Sequence, residues 1–455
     1  MKKLSLIKIS TPIFFEILLF MLLGVADTFM LSHYGTLEMS KMAVDAVGMS
    51  NQIINNVNIL FAFISAGTAV LIAQNIGANN KREIKRVSSV SLGMNLIIGT
   101  VFSLLLIWQG KTLLSLLGLE GERLILASKY INIVGGFIMI QALLNTVTAI
   151  IRSHGDTHVT LKVTIGMNIM NVIGDAIFIY GLFGAPTLGV TGVAIATTAS
   201  RFVALCVLLI ILFKDYIELS DLKLLFLKPI EEVKMLLKIG VPAAMENLSY
   251  SVSQTVIASL IITNLPEIAF TTRIYAFQIS WFMLLFGAAV GQGTQIMIGQ
   301  YAGAGEFEKA YKVCLKNFRI AISMTIPLSI GLYIFGGKLI GLYTTDPNII
   351  KLGAAVLIVD AILEPGRTSN LVIINGLRGA GDVLFPVIIG MIFMWGFAVG
   401  LGYFLAVTMD MGLIGFWIGM AFDEWLRGLV MLLRWKSGIW KTKVMVKKVA
   451  LEKVA

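Results

Sequence analysis

The sequence predicts an all-α, polytopic membrane protein with twelve transmembrane helices, and three observations lead to this fold class. Of the 455 residues, 57% are hydrophobic and only 14% are charged, whereas a soluble domain carries about 25% charged residues. Apolar windows of roughly 20 residues, the length that crosses a bilayer, recur twelve times. The chain also repeats itself internally. So much apolar surface argues against a water-soluble enzyme.

The twelve predicted spans divide the chain into two equal sets of six. They lie near 11–33, 43–73, 87–108, 127–151, 159–183, 188–213, 237–262, 271–299, 317–337, 350–377, 383–408 and 411–433. We therefore expect a first lobe at 1–213, a charged linker at 214–236, a second lobe at 237–436 and a basic tail at 437–455.

The basic residues are distributed unevenly between alternate connections. The N-terminal segment with Lys2, Lys3 and Lys8, the segment 81–86, the linker and the segment 309–319 are rich in Lys and Arg, and the opposite connections are poor in them. Excess positive charge marks the cytoplasmic side. We expect a multi-pass protein of the cell membrane with both termini in the cytoplasm. The same rule explains the net charge of +10 without a nucleic-acid partner.

The internal repeat relates the two sets of spans. The matched residues are Gln74 with Gln300, Gly77 with Gly303, Arg152 with Arg378 and Asp156 with Asp382, each 226 apart, and Pro12 with Pro242 and Glu16 with Glu246, each 230 apart. Because each half contains an even number of helices, both halves insert in the same orientation. This predicts a pseudo-two-fold axis along the membrane normal and a substrate site at the interface of the halves.

Three segments carry a family resemblance that covers essentially the whole chain. They are GVADTFMLSHYG at 24–35, EPGRTSNLVIINGLRGAGD at 364–382 and the closing stretch at 412–441. With the repeat, they make the sequence similar to bacterial and archaeal multidrug and toxic compound extrusion (MATE) transporters. The resemblance implies two six-helix lobes in a V-shaped fold. It also implies a cation-driven exporter that exchanges amphipathic, often cationic, organic compounds for Na⁺ or H⁺.

Polar residues inside the first-half spans form the main candidate site. Ionisable groups in spans are functional candidates by default, and Asn168, Asn171 and Asp175 share one helix face through their i, i+3, i+7 spacing. Their oxygens suit Na⁺ or a shared proton, although interhelical hydrogen bonding is the alternative. The resemblance implies cation-site roles for Asp27, Asn171 and Asp175. The candidate cation ligands are Asp27, Asn168, Asn171, Asp175 and Thr197, with Thr198 as the alternative to Thr197.

The second-half spans contain candidates for substrate binding or coupling. These are Glu246, Asp360, Glu364, Arg367, Asn370, Tyr275, Gln278 and Trp281. Glu364 and Arg367 are three residues apart and can neutralise each other, so a purely structural ion pair is equally open. Some MATE transporters carry an aspartate where Arg367 stands, and its absence argues against a cation site of that type in the second lobe.

The function predicted from these features is ion-driven export by alternating access. The sequence has no G-x-x-x-x-G-K-[ST] motif for nucleotide binding and none of the common hydrolase motifs, so we expect a transporter and not an enzyme. We expect no cofactor beyond the coupling ion, small organic substrates, the lipid bilayer as surroundings and function as a monomer. The alternatives are a lipid-linked precursor flippase of related architecture and a channel.

Overall fold

The computed structural model describes residues 4–227 and 229–446, and every regular element in these ranges is helical. The helices are α1 (Leu6–Ser32), α2 (Leu37–Gly77), α3 (Lys81–Leu116), α4 (Gly121–Tyr130), α5 (Ile138–Ser153), α6 (Thr157–Tyr180), α7 (Val190–Asp215), α8 (Ile230–Asn264), α9 (Glu267–Gly303), α10 (Phe307–Gly341), α11 (Pro347–Gly379), α12 (Leu384–Phe393) and α13 (Leu413–Lys436). The predicted basic residues Lys2 and Lys3 and the tail beyond residue 446 lie outside the described residues.

Twelve helical segments coincide with the twelve predicted spans, which confirms the all-α fold class. One segment consists of α4 and α5, which are bent by 42° at a short break. Another continues from α12 through π-helical stretches at Met394–Leu401 and Phe404–Thr408. Within the described chain, eight segments are long and apolar enough to cross a membrane, and the bent pair makes nine. The other three, α8, α11 and α13, carry five charged residues each.

The helices form two compact units. Unit 1 contains the residues up to Phe14, Ala73–Asn80 and the chain from Val241 onward, and unit 2 contains Phe15–Ile72 and Lys81–Gly240. The first residues of α1 and the last residues of α2 thus belong to unit 1, although most of both helices belongs to unit 2. The predicted boundaries between lobes, linker and tail stay a prediction.

Each unit has its own apolar core. In unit 2, Phe61, Leu106 and Ile131 are fully buried together. In unit 1, Leu357, Phe416 and Trp417 form one cluster, and a second cluster surrounds Trp435 and Trp440. On other helix faces, apolar side chains such as Trp108 are exposed. Exposed apolar faces of this extent fit helices that lie against lipid.

Two repeat-related glycines allow α2 and α9 to cross closely within unit 1. A Cβ atom on Gly77 would collide with the backbone carbonyl of Gln300, and a Cβ atom on Gly303 would collide with that of Gln74. The two contacts are equivalent under the repeat, because each glycine meets the repeat counterpart of the other's partner. Glycine is needed at both positions because any side chain would push the helices apart.

The linker between the halves lies along α3. A short 3₁₀ helix at Leu219–Phe226 follows α7, and Lys85 lies 3.0 Å from Glu218 and 3.1 Å from Asp221. The next residue, Arg86, pairs at 2.8 Å with the buried carboxylate of Glu232. These ion pairs fix the linker on the surface of unit 2.

Candidate cation-binding site

Three helices of unit 2 bring the predicted cation ligands together. Asp27 lies near the end of α1, Asn171 and Asp175 lie one turn apart on α6, and Thr197 lies in the first half of α7. All four side chains are buried. The i, i+4 spacing on α6 places the amide and the carboxylate on the same face, which is the face that meets α1 and α7.

The amide of Asn171 is the centre of this cluster. One of its two amide atoms lies 3.2 Å from Asp27 Oδ1 and 3.3 Å from Asp175 Oδ2, and the other lies 3.2 Å from the hydroxyl and 3.2 Å from the backbone nitrogen of Thr197. Because both carboxyl groups lie beside the same amide atom, Asp27 and Asp175 are neighbours in the interior of unit 2. Their role in cation binding stays a prediction.

The amide can take two orientations, and each suits a different occupancy. With the nitrogen toward the acids, it donates to both carboxylates and its oxygen accepts from Thr197. In the opposite orientation, the nitrogen donates to the Thr197 hydroxyl at 3.2 Å. The amide oxygen of Asn171 then lies beside Asp27 Oδ1 and Asp175 Oδ2, so three oxygens converge. Three oxygens at this separation repel one another unless a cation or proton lies among them.

Several buried acceptor oxygens around the cluster are not satisfied. Asp175 Oδ1 and Asn168 Oδ1 have no hydrogen-bond partner among the described residues, whereas the amide nitrogen of Asn168 donates to the carbonyl of Leu19 at 2.9 Å. The buried hydroxyl of Thr198 also lacks a partner there. Thr197, by contrast, contacts the Asn171 amide, so the geometry favours Thr197 over Thr198 as the hydroxyl of the site. Unsatisfied buried acceptors are costly, and a bound cation would remove that cost.

Two further residues near the cluster were not predicted as site residues. The hydroxyl of Tyr130 donates to Asn51 Oδ1 at 3.2 Å, and Arg201 lies close enough to Asp27 and Tyr130 to interact with them electrostatically. Arg201 could have been found because it is an ionisable residue one turn after Thr197. Tyr130 gives no such signal, because a tyrosine at the end of a span is common.

The second-half candidates form a separate network in unit 1. Arg367 Nη1 donates to Glu364 Oε1 at 2.5 Å, and its Nε lies 3.7 Å from Glu424 Oε1. Asn370 donates to the other oxygen of Glu424 at 2.8 Å. One turn away, Arg427 bonds to Asp423 at 2.6 Å. Three buried or nearly buried acids, Glu364, Asp423 and Glu424, thus lie within 4.0 Å of two arginines, and Asp360 lies one turn before Glu364 on α11.

Asp360 differs from its neighbours because neutral donors hold it. The hydroxyl of Ser280 donates to one oxygen at 2.6 Å, and the indole of Trp417 donates to the other at 3.0 Å. Neither donor was predicted from the sequence, because both come from other helices and neither is ionisable. The side chain of Asp360 is fully buried.

A small pocket of about 160 Å³ opens beside this network. Its lining residues are Tyr250, Phe277, Ser280, Trp281, Leu284 and Arg367. Much of this volume is open to solvent, and the enclosed part has little more room than a water molecule needs, so no drug-sized ligand fits here. Of the predicted aromatic and amide candidates, Trp281 lines the pocket, Gln278 is exposed on α9, and Tyr275 stacks on Tyr343 at 5.2 Å.

The repeat also places one ion pair in each unit. In unit 2, Glu16 accepts from Arg152 at 2.8 Å and from the Thr160 hydroxyl at 2.8 Å. In unit 1, the repeat-related residues Glu246 and Arg378 form the same pair. Glu246 is therefore paired with the last turn of α11. It is not hydrogen-bonded to the acids of the network above.

Comparison with known proteins agrees with this architecture. The MatE family model matches residues 12–177 and 242–404. The chain is 42% identical to a Bacillus subtilis protein named as the uncharacterized transporter YisQ, covering 98% of this chain and 96% of that one. It is 29% identical to a Thermotoga maritima protein named as the probable multidrug resistance protein NorM, covering 97% and 94%.

Solved structures show the same fold. A crystal structure of MATE in the bent conformation superposes with a TM-score of 0.86 at 23% identity, covering 95% of this chain and 94% of that one. A MOP superfamily transporter from Pyrococcus furiosus superposes with a TM-score of 0.85 at 23% identity and the same coverage. Within the part of the chain that the structure describes, no three His, Cys, Asp or Glu residues form a metal cluster.

Proposed function

The chain belongs to the MatE family, whose members named above are transporters, and from this premise we propose a cation-coupled antiporter. It exports amphipathic, often cationic, organic compounds across the cell membrane by alternating access, in exchange for Na⁺ or H⁺. The observation that carries the coupling is the meeting of Asp27 and Asp175 around the Asn171 amide in the interior of unit 2.

The donor set of this cluster fits a small hard cation or a proton. Two carboxylates, an amide oxygen and a hydroxyl are the oxygen ligands that hard cations prefer. In the Na⁺ form, Asp27, Asp175 and Asn171 would hold the ion, with Thr197 beside them. In the H⁺ form, one carboxyl group would keep the proton and share it with the other. Both forms remove the repulsion between the two acids.

Exchange follows if the cation and the organic substrate exclude each other. A substrate cation that approaches the two carboxylates satisfies the same charge as the inorganic ion, so binding of one weakens binding of the other. By linkage this coupling is reciprocal. An imposed Na⁺ or pH gradient then drives the substrate outward.

The remaining parts of the proposal follow from the charge distribution. Both termini lie in the cytoplasm because the Lys- and Arg-rich connections alternate with basic-poor ones, and one chain is sufficient for function. A lipid-linked precursor flippase would favour a strongly basic cavity. In unit 1 the acids Asp360, Glu364, Asp423 and Glu424 outnumber the arginines of the same network, which favours the drug exporter.

The test is efflux of a fluorescent organic cation, ethidium, from proteoliposomes under a Na⁺ gradient and under a pH gradient, imposed separately. We expect Asp27→Asn and Asp175→Asn each to abolish gradient-driven efflux, because neither variant can place two negative charges on the cation. Asp45→Asn is the matched control, since Asp45 is a half-exposed carboxylate that pairs with Arg123 at 3.4 Å. Its efflux should equal that of the wild type.

A second pair of variants tests the ligand set. Thr197→Ala should raise the Na⁺ concentration or the acidity that half-maximal efflux requires, while the adjacent Thr198→Ala should not. Normal efflux by both folded aspartate variants, under either gradient, would refute coupling at this cluster. Efflux that is driven by neither gradient in the wild type would refute antiport itself.

A further inference from the structure

The segment that follows α13 is folded onto unit 1. Ile439–Thr442 forms a 3₁₀ turn, and the indole of Trp440 is fully buried. It stacks on Trp435 with ring centroids 4.2 Å apart and an interplanar angle of 2°, and its Nε1 donates to the Trp435 carbonyl at 2.9 Å. A buried aromatic side chain with a satisfied N–H is a strong anchor.

The residues after Trp440 reach the loop between α11 and α12. Lys441 lies 3.3 Å from Glu308 on α10, and the carbonyl of Lys443 would collide with a Cβ atom at Gly381. Gly381 has a φ of +92°, which favours glycine independently of this contact. Because residue 381 is glycine, the backbone of the segment has room to pack against this loop.

The segment then contacts the end of α2 through Gln74. The backbone nitrogen of Met445 donates to Gln74 Oε1 at 3.0 Å, and Gln74 Nε2 donates to the Gly379 carbonyl at 2.8 Å. Gln74 is completely buried, so both bonds are made away from water. The side chain therefore connects three pieces of unit 1: the end of α2, the end of α11 and the segment after α13.

The end of α2 is also where the chain passes between the compact units. Residues 37–72 of α2 belong to unit 2, and 73–80 belong to unit 1. Here Gly77 and Gly303 make the mutual close contacts with Gln300 and Gln74. A change of conformation that separates 73–80 from unit 1 must break the glycine crossing and both hydrogen bonds of Gln74.

We propose that residues 437–446 are a strap that latches the end of α2 to unit 1, and that this latch opens and closes as the transporter changes conformation. The latch itself rests on the contacts above, and its role in turnover rests on the proposed transport function. Trp440 anchors the strap, and the Met445 N–H closes it on Gln74.

Hydrogen–deuterium exchange on the purified full-length protein tests the latch without any transport. Met445→Pro removes the N–H that bonds to Gln74, and Trp440→Ala removes the anchor. We expect amide exchange in 73–80 to rise about fivefold in Met445→Pro, the effect of one net hydrogen bond, and about tenfold or more in Trp440→Ala. The control Lys441→Ala loses the partly exposed ion pair with Glu308 and a cation–π contact 5.9 Å from the Trp440 ring. It keeps the Trp440 indole and the Met445 N–H, so exchange in 73–80 should stay at the wild-type rate.

Two results of the exchange experiment would refute the latch. If 437–446 exchanges rapidly in either variant while 73–80 keeps its wild-type protection, the latch is refuted. Peptides from α6 serve as an internal reference, and a rise there as large as that in 73–80 would also refute it, because the strap would then act on the whole fold.

Cross-linking tests the role in turnover. In a background with Cys206→Ser and Cys314→Ala, a reducible bifunctional thiol reagent joins Gln74→Cys to Met445→Cys. We expect ethidium efflux to stop on cross-linking and to recover on reduction. The matched pair Glu308→Cys and Lys441→Cys ties the strap to α10 only and should leave efflux unchanged. The proposal would be overturned if efflux continued with the Gln74→Cys and Met445→Cys pair cross-linked, or if cross-linking of the Glu308→Cys and Lys441→Cys pair stopped it. Absence of efflux by the wild type would overturn only the proposed function.

Discussion

Arg367 is expected to be more important for stability than the acid to which it bonds. It donates to Glu364 at 2.5 Å, lies 3.7 Å from Glu424 and is nearly buried. Arg367→Met leaves the acids of this network with Arg427 alone. Removal of one partner of a buried ion pair costs about 3–5 kcal/mol, because the other charge stays buried without compensation.

The variant Glu364→Gln provides the contrast. It keeps the shape of the side chain and removes one of the excess negative charges, while Arg367 keeps Glu424. We expect a loss of about 1 kcal/mol, the size of one net hydrogen bond, and hence a difference of about 2 kcal/mol or more between the two variants. Denaturant unfolding of the detergent-solubilised protein measures both. Equal losses, or a larger loss for Glu364→Gln, would refute the view that acids are in excess in this network.

Two further substitutions test single contacts with the same unfolding assay. Gly77→Ala places a methyl group on the Gln300 carbonyl and should cost about 1–3 kcal/mol through overpacking, whereas Gly331→Ala, with open space around its Cβ position, should be neutral or stabilising by up to about 1 kcal/mol. Trp417→Phe removes the indole donor of the buried Asp360 carboxylate and should cost about 1–3 kcal/mol. A stable Gly77→Ala or Trp417→Phe variant would show that the corresponding contact is not formed.

The scaffold could be predicted from the sequence because it depends on short-range patterns. Apolar length decides which segments can span a bilayer, and all twelve predicted segments are helical. The repeat predicted that Gly77 and Gly303 are equivalent, and the structure gives the reason, since each glycine meets the backbone of the other helix. The α6 part of the site was also predictable, because the spacing of Asn171 and Asp175 fixes their common face.

The partners of the second-half charges could not be predicted, because they depend on the rotation and packing of helices distant in sequence. Glu246, a candidate for substrate binding or coupling, pairs with Arg378 in the last turn of α11. Asp360, another such candidate, receives its hydrogen bonds from Ser280 and Trp417, which lie on two other helices. Sequence spacing constrains only pairs on the same helix, such as Glu364 and Arg367.

The repeat-related helices α7 and α13 differ in charge at one position and keep an arginine at another. Thr197 and Asp423 occupy equivalent positions 226 residues apart, and so do Arg201 and Arg427. A hydroxyl that contacts Asn171 in unit 2 is thus replaced by a carboxylate that bonds to arginine in unit 1.

The two acids of the candidate cation site in unit 2 have apolar counterparts in unit 1. The positions equivalent to Asp27 and Asp175 are Ile257 and Leu401, so unit 1 cannot form a second copy of the cluster. Among the described residues, the Asp27–Asp175 pair meets an amide and has no arginine hydrogen-bonded to it, whereas Glu364, Asp423 and Glu424 each lie within 4.0 Å of one. A carboxylate already bonded to a guanidinium has little to gain from a further cation. The remaining acid of the unit 1 network, Asp360, already accepts hydrogen bonds on both oxygens. Under the proposed antiport we therefore expect the coupling cation to bind in unit 2, because the two halves share one scaffold and differ in their side chains.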